Sequence, residues 1–144
     1  MERYRDGDIS IAIGENHTMS LFAKEIEVET DLDKAQKTLF SIQKKISFLA
    51  YKKVLSALCH YDRNRGSIVL GFLIKGFPMG ARVIEDMADP YVMGMIELAR
   101  KVDNESHLFQ GFVRFFDLGK FLYAEIEPKC HVLPQMMEHF ADRY

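Results

Sequence analysis

The sequence predicts an α+β fold: a helical bundle, followed by an antiparallel β-hairpin and a short C-terminal helix. Two observations carry this prediction. Before about residue 110, apolar residues recur at spacings of three and four, as they do on the buried side of a helix. From Gly111 onwards, aromatic and branched residues alternate with other residues, which is typical of strands. Helices and strands in separate stretches favour α+β over α/β.

Two helices are predicted in the first half of the chain. Thr30 can cap the first helix, whose apolar positions run from Leu32 to Ile46 at helical spacing. Ser47 can cap the second, which is expected over about residues 48–61.

Further helices complete the predicted bundle and the C-terminus, and one short helical stretch is expected over about residues 80–87. Ser67 can cap the first of them, and Pro78 should break it because proline lacks the amide hydrogen. Asp89-Pro90 predicts a new helix start, with aspartate capping and proline in the first turn. This helix is expected to reach about Leu108, and Pro134 opens the last one.

The β-hairpin is predicted between the last two helices. Its strands cover residues 111–117 and 120–127, joined by a tight turn at Leu118-Gly119. In that register Arg114 lies opposite Tyr123.

Composition and charge limit the classes of function. The chain has 144 residues, of which 48% are hydrophobic, so residues 1–144 are expected to form one domain. The net charge of −2 provides no overall attraction to nucleic acid, so a phosphate contact requires a local basic patch. The longest apolar run, residues 68–74, is too short for a membrane helix, which predicts no membrane association.

The two cysteines bear on compartment and metal binding. Two thiols without a secretory leader predict a reducing cytoplasm. Cys59-His60 and Cys130-His131 are adjacent pairs rather than the CxxC spacing that zinc usually requires, so no metal is predicted. There is no phosphate-binding glycine loop, nucleophile elbow or dinucleotide fingerprint, and no cofactor is predicted.

A polar line precedes the hairpin. Arg100, Asn104 and His107 are spaced by four and three and therefore share one helical face, and Arg114 follows on the first strand. Such donors can hold a phosphate or a base edge. The same residues also fit a purely structural hydrogen-bond network.

Aromatic residues accompany Arg114 along the hairpin. Interleaving of this kind is found in sheets that stack nucleic-acid bases. The alternative is that the rings pack beneath a helix and that Arg114 pairs with Glu125, Glu127 or Asp142. The aromatic residues are Phe112, Phe116, Phe121 and Tyr123.

Lysines on the first two helices form a third candidate surface. They fit contacts with a DNA backbone, although a charge run on a helix is more often only a solvated face. These lysines are Lys34, Lys37, Lys44, Lys45, Lys52 and Lys53.

Several short sequence motifs, here called words, match one known family and occur in the same order. VETD (28–31) and the KK.S signature around residues 44–47 place the start of the match near residue 20. In the second half the words are ELARKV (97–102), ESH (105–107), GFVRF (111–115), YAEIEP (123–128), VLP (132–134) and HFADR (139–143). With these words the sequence resembles the bacterial family called domain of unknown function 4130.

The resemblance implies a role in DNA metabolism. The resemblance implies that family members are neighbours of a radical-SAM DNA modification or repair protein. It also implies that a similar domain is fused to a uracil-DNA-glycosylase-like domain. The final word adds His139, Asp142 and Arg143 to the candidate residues. Family members extend further at both ends, which implies that this chain is a fragment or a shortened member.

Three functional hypotheses follow. The first is an accessory domain that binds nucleic acid or a partner, alongside a radical-SAM DNA modification or repair protein. The second is a DNA-repair enzyme in which His107 or His139 performs acid–base chemistry with a carboxylate such as Glu105, Glu125 or Asp142, although no nucleophile is identified. The third is a module that only binds proteins. His107 and His139 in one open cleft with a carboxylate would favour the enzyme.

Overall fold

The computed structural model describes residues 9–12 and 24–143. Five α-helices, one 3₁₀ helix and one two-stranded sheet are present in these ranges. In chain order they are α1 (Leu32–Lys45), α2 (Phe48–Leu58), α3 (Arg65–Met79), the 3₁₀ helix (Gly80–Glu85), α4 (Pro90–Phe112), β1 (Phe116–Asp117), β2 (Leu122–Tyr123) and α5 (Leu133–Ala141). This order confirms the predicted α+β class.

Two of the predicted helix caps are confirmed. The Ser47 hydroxyl accepts a hydrogen bond from the amide of Ala50 at 3.0 Å and begins α2. The Asp89 carboxylate accepts hydrogen bonds from the amides of Tyr91 and Val92 at 2.8 and 3.1 Å and begins α4. Both caps satisfy amides that have no partner within the helix.

Two other predicted caps are wrong. Asp31, not Thr30, caps α1, since its carboxylate accepts a hydrogen bond from the Lys34 amide at 3.0 Å. Ser67 lies inside α3, where its hydroxyl accepts a hydrogen bond from the Ile11 amide at 2.8 Å. In the first case a stronger cap stands next to the predicted residue, and in the second the side chain is used by a distant segment.

The break predicted at Pro78 falls slightly later. Helix α3 includes Pro78 and ends at Met79, after which Gly80 adopts a positive φ of 67°. Glycine tolerates this left-handed conformation because it has no Cβ. The chain then tightens into the 3₁₀ helix.

One stretch, Arg65–Glu85, has the length and mean hydropathy (1.5) of a membrane-crossing helix. It consists of two elements that meet at Gly80 rather than one continuous α-helix. Within this stretch, Val69 and Phe72 are buried in the main core.

The main core lies between the first four helices. Helix α4 packs against both α2 and α3, while α1 covers α2. Tyr91 lies directly over Gly71, so that a Cβ added there would come within 2.3 Å of the ring. The large side chains that are fully buried in this core are Ile42, Val54, Phe72, Val83, Val92 and Met95.

A second apolar cluster holds the C-terminal elements. Val102 from α4 is buried together with Val132 and with Met136 from α5. Val113 and Ile126 pack against this cluster from either side of the hairpin. The hairpin and α5 are thus anchored on the second half of α4.

The hairpin register differs from the prediction. Phe116 pairs with Tyr123, so residues 118–121 form a four-residue loop and Tyr123 does not face Arg114. The Asp117 carboxylate accepts a hydrogen bond from the Gly119 amide at 2.7 Å, and Gly119 has a φ of 84°. This local bond supports a wider loop than the predicted two-residue turn.

Each strand has only two residues. The first predicted strand begins too early, because α4 continues through Gly111 and Phe112. Alternation of aromatic residues therefore overestimates the length of the sheet.

Candidate functional site

The predicted polar line lies on the outer side of α4. A helix turns about 100° per residue, so Arg100, Asn104 and His107 fall within about 60° of one another. All three side chains are exposed, whereas Val102 and Ser106 are buried on the opposite side. In the described part of the chain these three side chains form no hydrogen bond or ion pair with other residues.

Arg114 lies between α4 and β1. Residue 113 is the C-cap of α4, and the Arg114 side chain is exposed. Among the described residues it has no ion pair with Glu125, Glu127 or Asp142, so the alternative of a paired arginine is not realised.

The hairpin exposes most of its rings. The exposed fraction is 75% for Phe112, 64% for Phe116 and 63% for Phe121. Tyr123 is also exposed, and its hydroxyl donates a weak hydrogen bond of 3.5 Å to Glu125. The alternative in which these aromatic residues pack beneath a helix is therefore wrong.

The ring of Phe115, the residue before Phe116, does pack inward. Phe115 contacts Phe140 edge to face, with 5.0 Å between the ring centroids. Phe140 belongs to α5 and packs against the second cluster. This contact sets the hairpin so that Phe116 faces the solvent.

The candidate residues of the last helix are exposed as well. His139, on α5, makes an edge-to-face contact with Phe140 at 5.2 Å between ring centroids. Asp142 and Arg143 follow the helix, and both side chains are exposed. No hydrogen bond joins these residues to His107 within the described ranges, so they do not form the predicted network.

Glu105 has a structural role. Its carboxylate accepts hydrogen bonds from the amides of Lys129 at 2.7 Å and Cys130 at 2.8 Å. Burial raises the pKa of Glu105, but hydrogen bonds from the Cys130 thiol and the two amides outweigh it and leave the pKa below its usual value. Glu105 therefore stabilises the segment that follows the hairpin and does not act as a partner of His107.

A half-buried polar network was missed by the sequence analysis. Asp103 accepts hydrogen bonds from Lys53 at 2.8 Å and from the Ser56 hydroxyl at 2.7 Å, and Gln135 donates to Ser56 at 2.7 Å. It joins α2, α4 and α5. The available signal was polar Ser56 and Asp103 on otherwise apolar faces.

The network also controls the ionisation of Asp103. Burial raises the pKa of this carboxyl, but hydrogen bonds from Lys53 and Ser56 and the lysine charge lower it below the usual value. Asp103 is thus ionised. Because Lys53 forms an ion pair with Asp103, it is not available as part of the predicted basic surface.

The two Cys-His pairs lie side by side. The His131 amide donates a hydrogen bond of 2.8 Å to the carbonyl of Cys59. Both thiols are free, and Cys130 is buried. No group of three His, Cys, Asp or Glu side chains in the described ranges is arranged to hold a metal ion.

Two grooves lie elsewhere on the molecule. One, of about 660 Å³, follows residues 27–34. The other, of about 380 Å³, lies between α1 and Phe77 of α3. Neither of these two grooves is lined by the candidate residues on α4, the hairpin or α5, whose side chains are exposed.

Comparison with known families identifies the second half of the molecule. A family model described as domain of unknown function (DUF4130) matches residues 63–144. The chain belongs to this family. The DUF4130 match covers α3, α4, the hairpin and α5, whereas the words predicted upstream, at 28–31 and 44–47, lie outside it. Comparisons with curated proteins and with solved structures gave no significant match.

Proposed function

We propose that this DUF4130 protein is an accessory domain that binds single-stranded nucleic acid through α4 and the hairpin. The observation that carries the proposal is the exposure of Phe112, Phe116 and Phe121 in the same part of the chain as Arg114, whose side chain is exposed and has no acidic partner in the described structure. Groups of exposed apolar side chains often mark surfaces that bind a ligand or a partner. The working context is a radical-SAM DNA modification or repair protein, as the family resemblance implies.

The chemistry of each part of the surface suits a strand. Stacking of a base on an aromatic ring contributes about 1–3 kcal/mol and is tolerant of sequence. Arg100 and Arg114 can bind phosphates, while Asn104 and His107 can donate to phosphates or base edges. A strand with unpaired bases fits better than a duplex, since stacking requires accessible base faces.

Binding of a fluorescein-labelled oligothymidylate, measured by anisotropy at low salt, tests the proposal. The variant Arg100→Ala/Arg114→Ala/Arg143→Ala should lose salt-sensitive binding. The variant Lys24→Ala/Arg63→Ala/Arg82→Ala removes the same charge at exposed positions elsewhere and should retain most of it. Absence of binding by the unaltered protein at low salt would refute the nucleic-acid proposal.

The rings require a separate test. Phe116→Leu/Phe121→Leu keeps apolar side chains but removes the π-faces, and it should weaken binding by about tenfold or more. Phe116→Tyr/Phe121→Tyr retains the rings and should bind like the unaltered protein. Equal binding by the leucine and tyrosine variants would show that stacking is not involved.

The hairpin also supports a partner-binding role. Leu118, Phe121 and Leu122 are exposed at its tip, and apolar tips of this kind can contact another protein. Comigration with the radical-SAM partner in size-exclusion chromatography would favour this role. Separate elution of the two proteins at micromolar concentrations would exclude a stable complex.

The proposal places the protein in a reducing, cytoplasmic compartment, in agreement with the free thiols of Cys59 and Cys130. It does not extend to catalysis. The carboxylate of Glu105 is bonded to backbone amides, and His107 and His139 are both exposed on different helices. In the described residues, no hydrogen bond joins His107 or His139 to a carboxylate.

A further inference from the structure

The lysines of α1 are concentrated on one flank of the helix. At about 100° per residue, Lys34, Lys37, Lys44 and Lys45 fall within an arc of about 100°. Residues 34–61 contain six lysines and no aspartate or glutamate. This part of the surface is therefore strongly positive on a chain whose net charge is −2.

Part of this charge is neutralised and part is not. Lys34 forms an ion pair with Asp31 at 3.1 Å, and Lys53 pairs with Asp103. Lys37 and Lys45 are exposed and have no acidic partner in the described structure. Lys44 and Lys52 lie over exposed phenylalanine rings, at 5.5 and 5.0 Å from the ring centroids.

Two unpaired lysines, Lys37 and Lys45, line a shallow, open groove. The groove of about 380 Å³ has Lys37, Thr38, Ser41 and Lys45 of α1 on one wall and Phe77 of α3 on the other. The two hydroxyls already donate hydrogen bonds to carbonyls within α1, each at 2.8 Å. The lysine ammonium groups are thus the donors that remain for a ligand.

We propose that the groove between α1 and α3 is a second nucleic-acid contact, which binds the phosphodiester backbone of a strand by charge. The inference rests on the proposed function for the class of ligand but on a different surface. Lys37 and Lys45 are eight residues apart, about 12 Å along the helix, so their ammonium groups can contact separate phosphates of one strand. This groove adds salt-dependent affinity to that of the arginines on α4 and the hairpin, whose rings also stack bases.

The geometry favours a strand over an anionic membrane. Helices that lie on membranes insert their apolar side into the lipid. In α1 that side carries Ile42 and Ile46, which are buried in the core of the protein. Lys37 and Lys45 line the groove, where their ammonium groups can bind the phosphates of a strand.

The salt dependence of binding tests the inference. Anisotropy of a fluorescein-labelled 30-nucleotide oligothymidylate is measured over a series of sodium chloride concentrations. Each phosphate contact on a single strand contributes about 0.7 to the slope of log affinity against log salt. Lys37→Ala/Lys45→Ala should therefore reduce the magnitude of the slope by about 1.4, and Lys37→Arg/Lys45→Arg should preserve it.

The control removes the same charge outside the groove. Arg63→Ala/Lys101→Ala changes an exposed arginine and a lysine already paired with Glu97, and it should change the slope by less than half as much. Circular dichroism checks that each variant is folded. An unchanged slope in Lys37→Ala/Lys45→Ala, or the same loss in the control, would overturn the inference.

Comparing the hairpin variant with the groove variant distinguishes the proposed function from the groove inference. If Phe116→Leu/Phe121→Leu binds like the unaltered protein while the groove variant loses slope, the hairpin proposal fails and the groove stands. If the hairpin variant weakens binding while the groove variant keeps its slope, the groove fails alone. Binding to phosphatidylserine vesicles without binding to the oligonucleotide would assign the lysines to a membrane and overturn the inference.

Discussion

His60 is a buried histidine with one unsatisfied ring atom. The residue is 4% exposed, its Nδ1 accepts a hydrogen bond from the Asp62 amide at 3.0 Å, and its Nε2 has no hydrogen-bond partner among the described residues. Burial, assisted by the charge of Lys101, lowers the pKa of His60 below its usual value of 6.5. The imidazole is therefore neutral in the folded protein, and its protonation favours unfolding.

This arrangement predicts a loss of stability in mild acid. Because the folded pKa lies below the unfolded one, the unfolded state binds the proton first as the pH falls below 6.5. The free energy of unfolding should decrease from there until the folded pKa is reached, by at most about 1.4 kcal/mol per pH unit. Urea unfolding at pH 7.0, 6.0 and 5.0 measures the decrease.

The matched controls are two histidine variants. His60→Gln removes the titrating group and should flatten the pH dependence between 7 and 5. His131→Gln changes an exposed histidine and should leave the dependence as it is. A decrease of the same size in His60→Gln would assign the effect to other groups.

At the scale of elements, local chemistry explains why some boundaries could be predicted. Ser47 and Asp89 cap their helices through amides two or three residues away, so the sequence around each cap contains the whole interaction. The hairpin register was predicted wrongly, although the bond from the Gly119 amide to the Asp117 carboxylate in its loop is also local. Alternation of aromatic residues indicates a strand but does not set its length.

The contact between α3 and α4 depends on Gly71. A Cβ at this position would lie 2.3 to 2.7 Å from three atoms of the Tyr91 ring. We expect Gly71→Ala to destabilise the protein by about 1–3 kcal/mol, because the ring must move away from a packed core. Thermal unfolding followed by circular dichroism measures the change.

Gly111, near the end of α4, provides the control for this substitution. A Cβ there meets no atom within 4 Å, so Gly111→Ala adds helix propensity without a clash. It should be neutral or stabilise by up to about 1 kcal/mol. Equal melting temperatures for the two variants would contradict the close packing of α3 on α4.

At the scale of the whole molecule, the Asp103 network joins the two apolar clusters. Ser56 is 8% exposed, and Asp103 is the acceptor for both Ser56 and Lys53. Asp103→Ala leaves a buried hydroxyl and a half-buried lysine without their acceptor. We expect a loss of about 1–3 kcal/mol in the free energy of unfolding, together with faster amide exchange in α5.

An exposed ion pair is the comparison for this loss. Glu97 and Lys101 pair at 3.5 Å on the outside of α4, and Glu97→Ala should cost less than about 0.5 kcal/mol. Denaturant unfolding of both variants under the same conditions compares them. If Asp103→Ala is no more destabilising than Glu97→Ala, the network does not hold α5 in place.

The positions and partners of the candidate binding residues could be predicted only in part. The spacing of Arg100, Asn104 and His107 already placed them on one face of a helix, and the structure directs that face to the solvent. The sequence could not separate lysines that remain unpaired, such as Lys37, from Lys53, whose partner Asp103 lies 50 residues away. Charge neutralisation of this kind depends on which helices meet.

The sequence by itself determined the α+β class and most helices, because apolar spacing and capping act within one or two turns of the chain. Only the tertiary structure decided which polar side chains are engaged and which face the solvent. Glu105 lies among the predicted site residues, yet it bonds amides 24 and 25 residues away and supports the hairpin. The physical reason is that a buried polar group forms hydrogen bonds with the groups that lie near it. Tertiary packing determines those neighbours, and they are often distant in sequence.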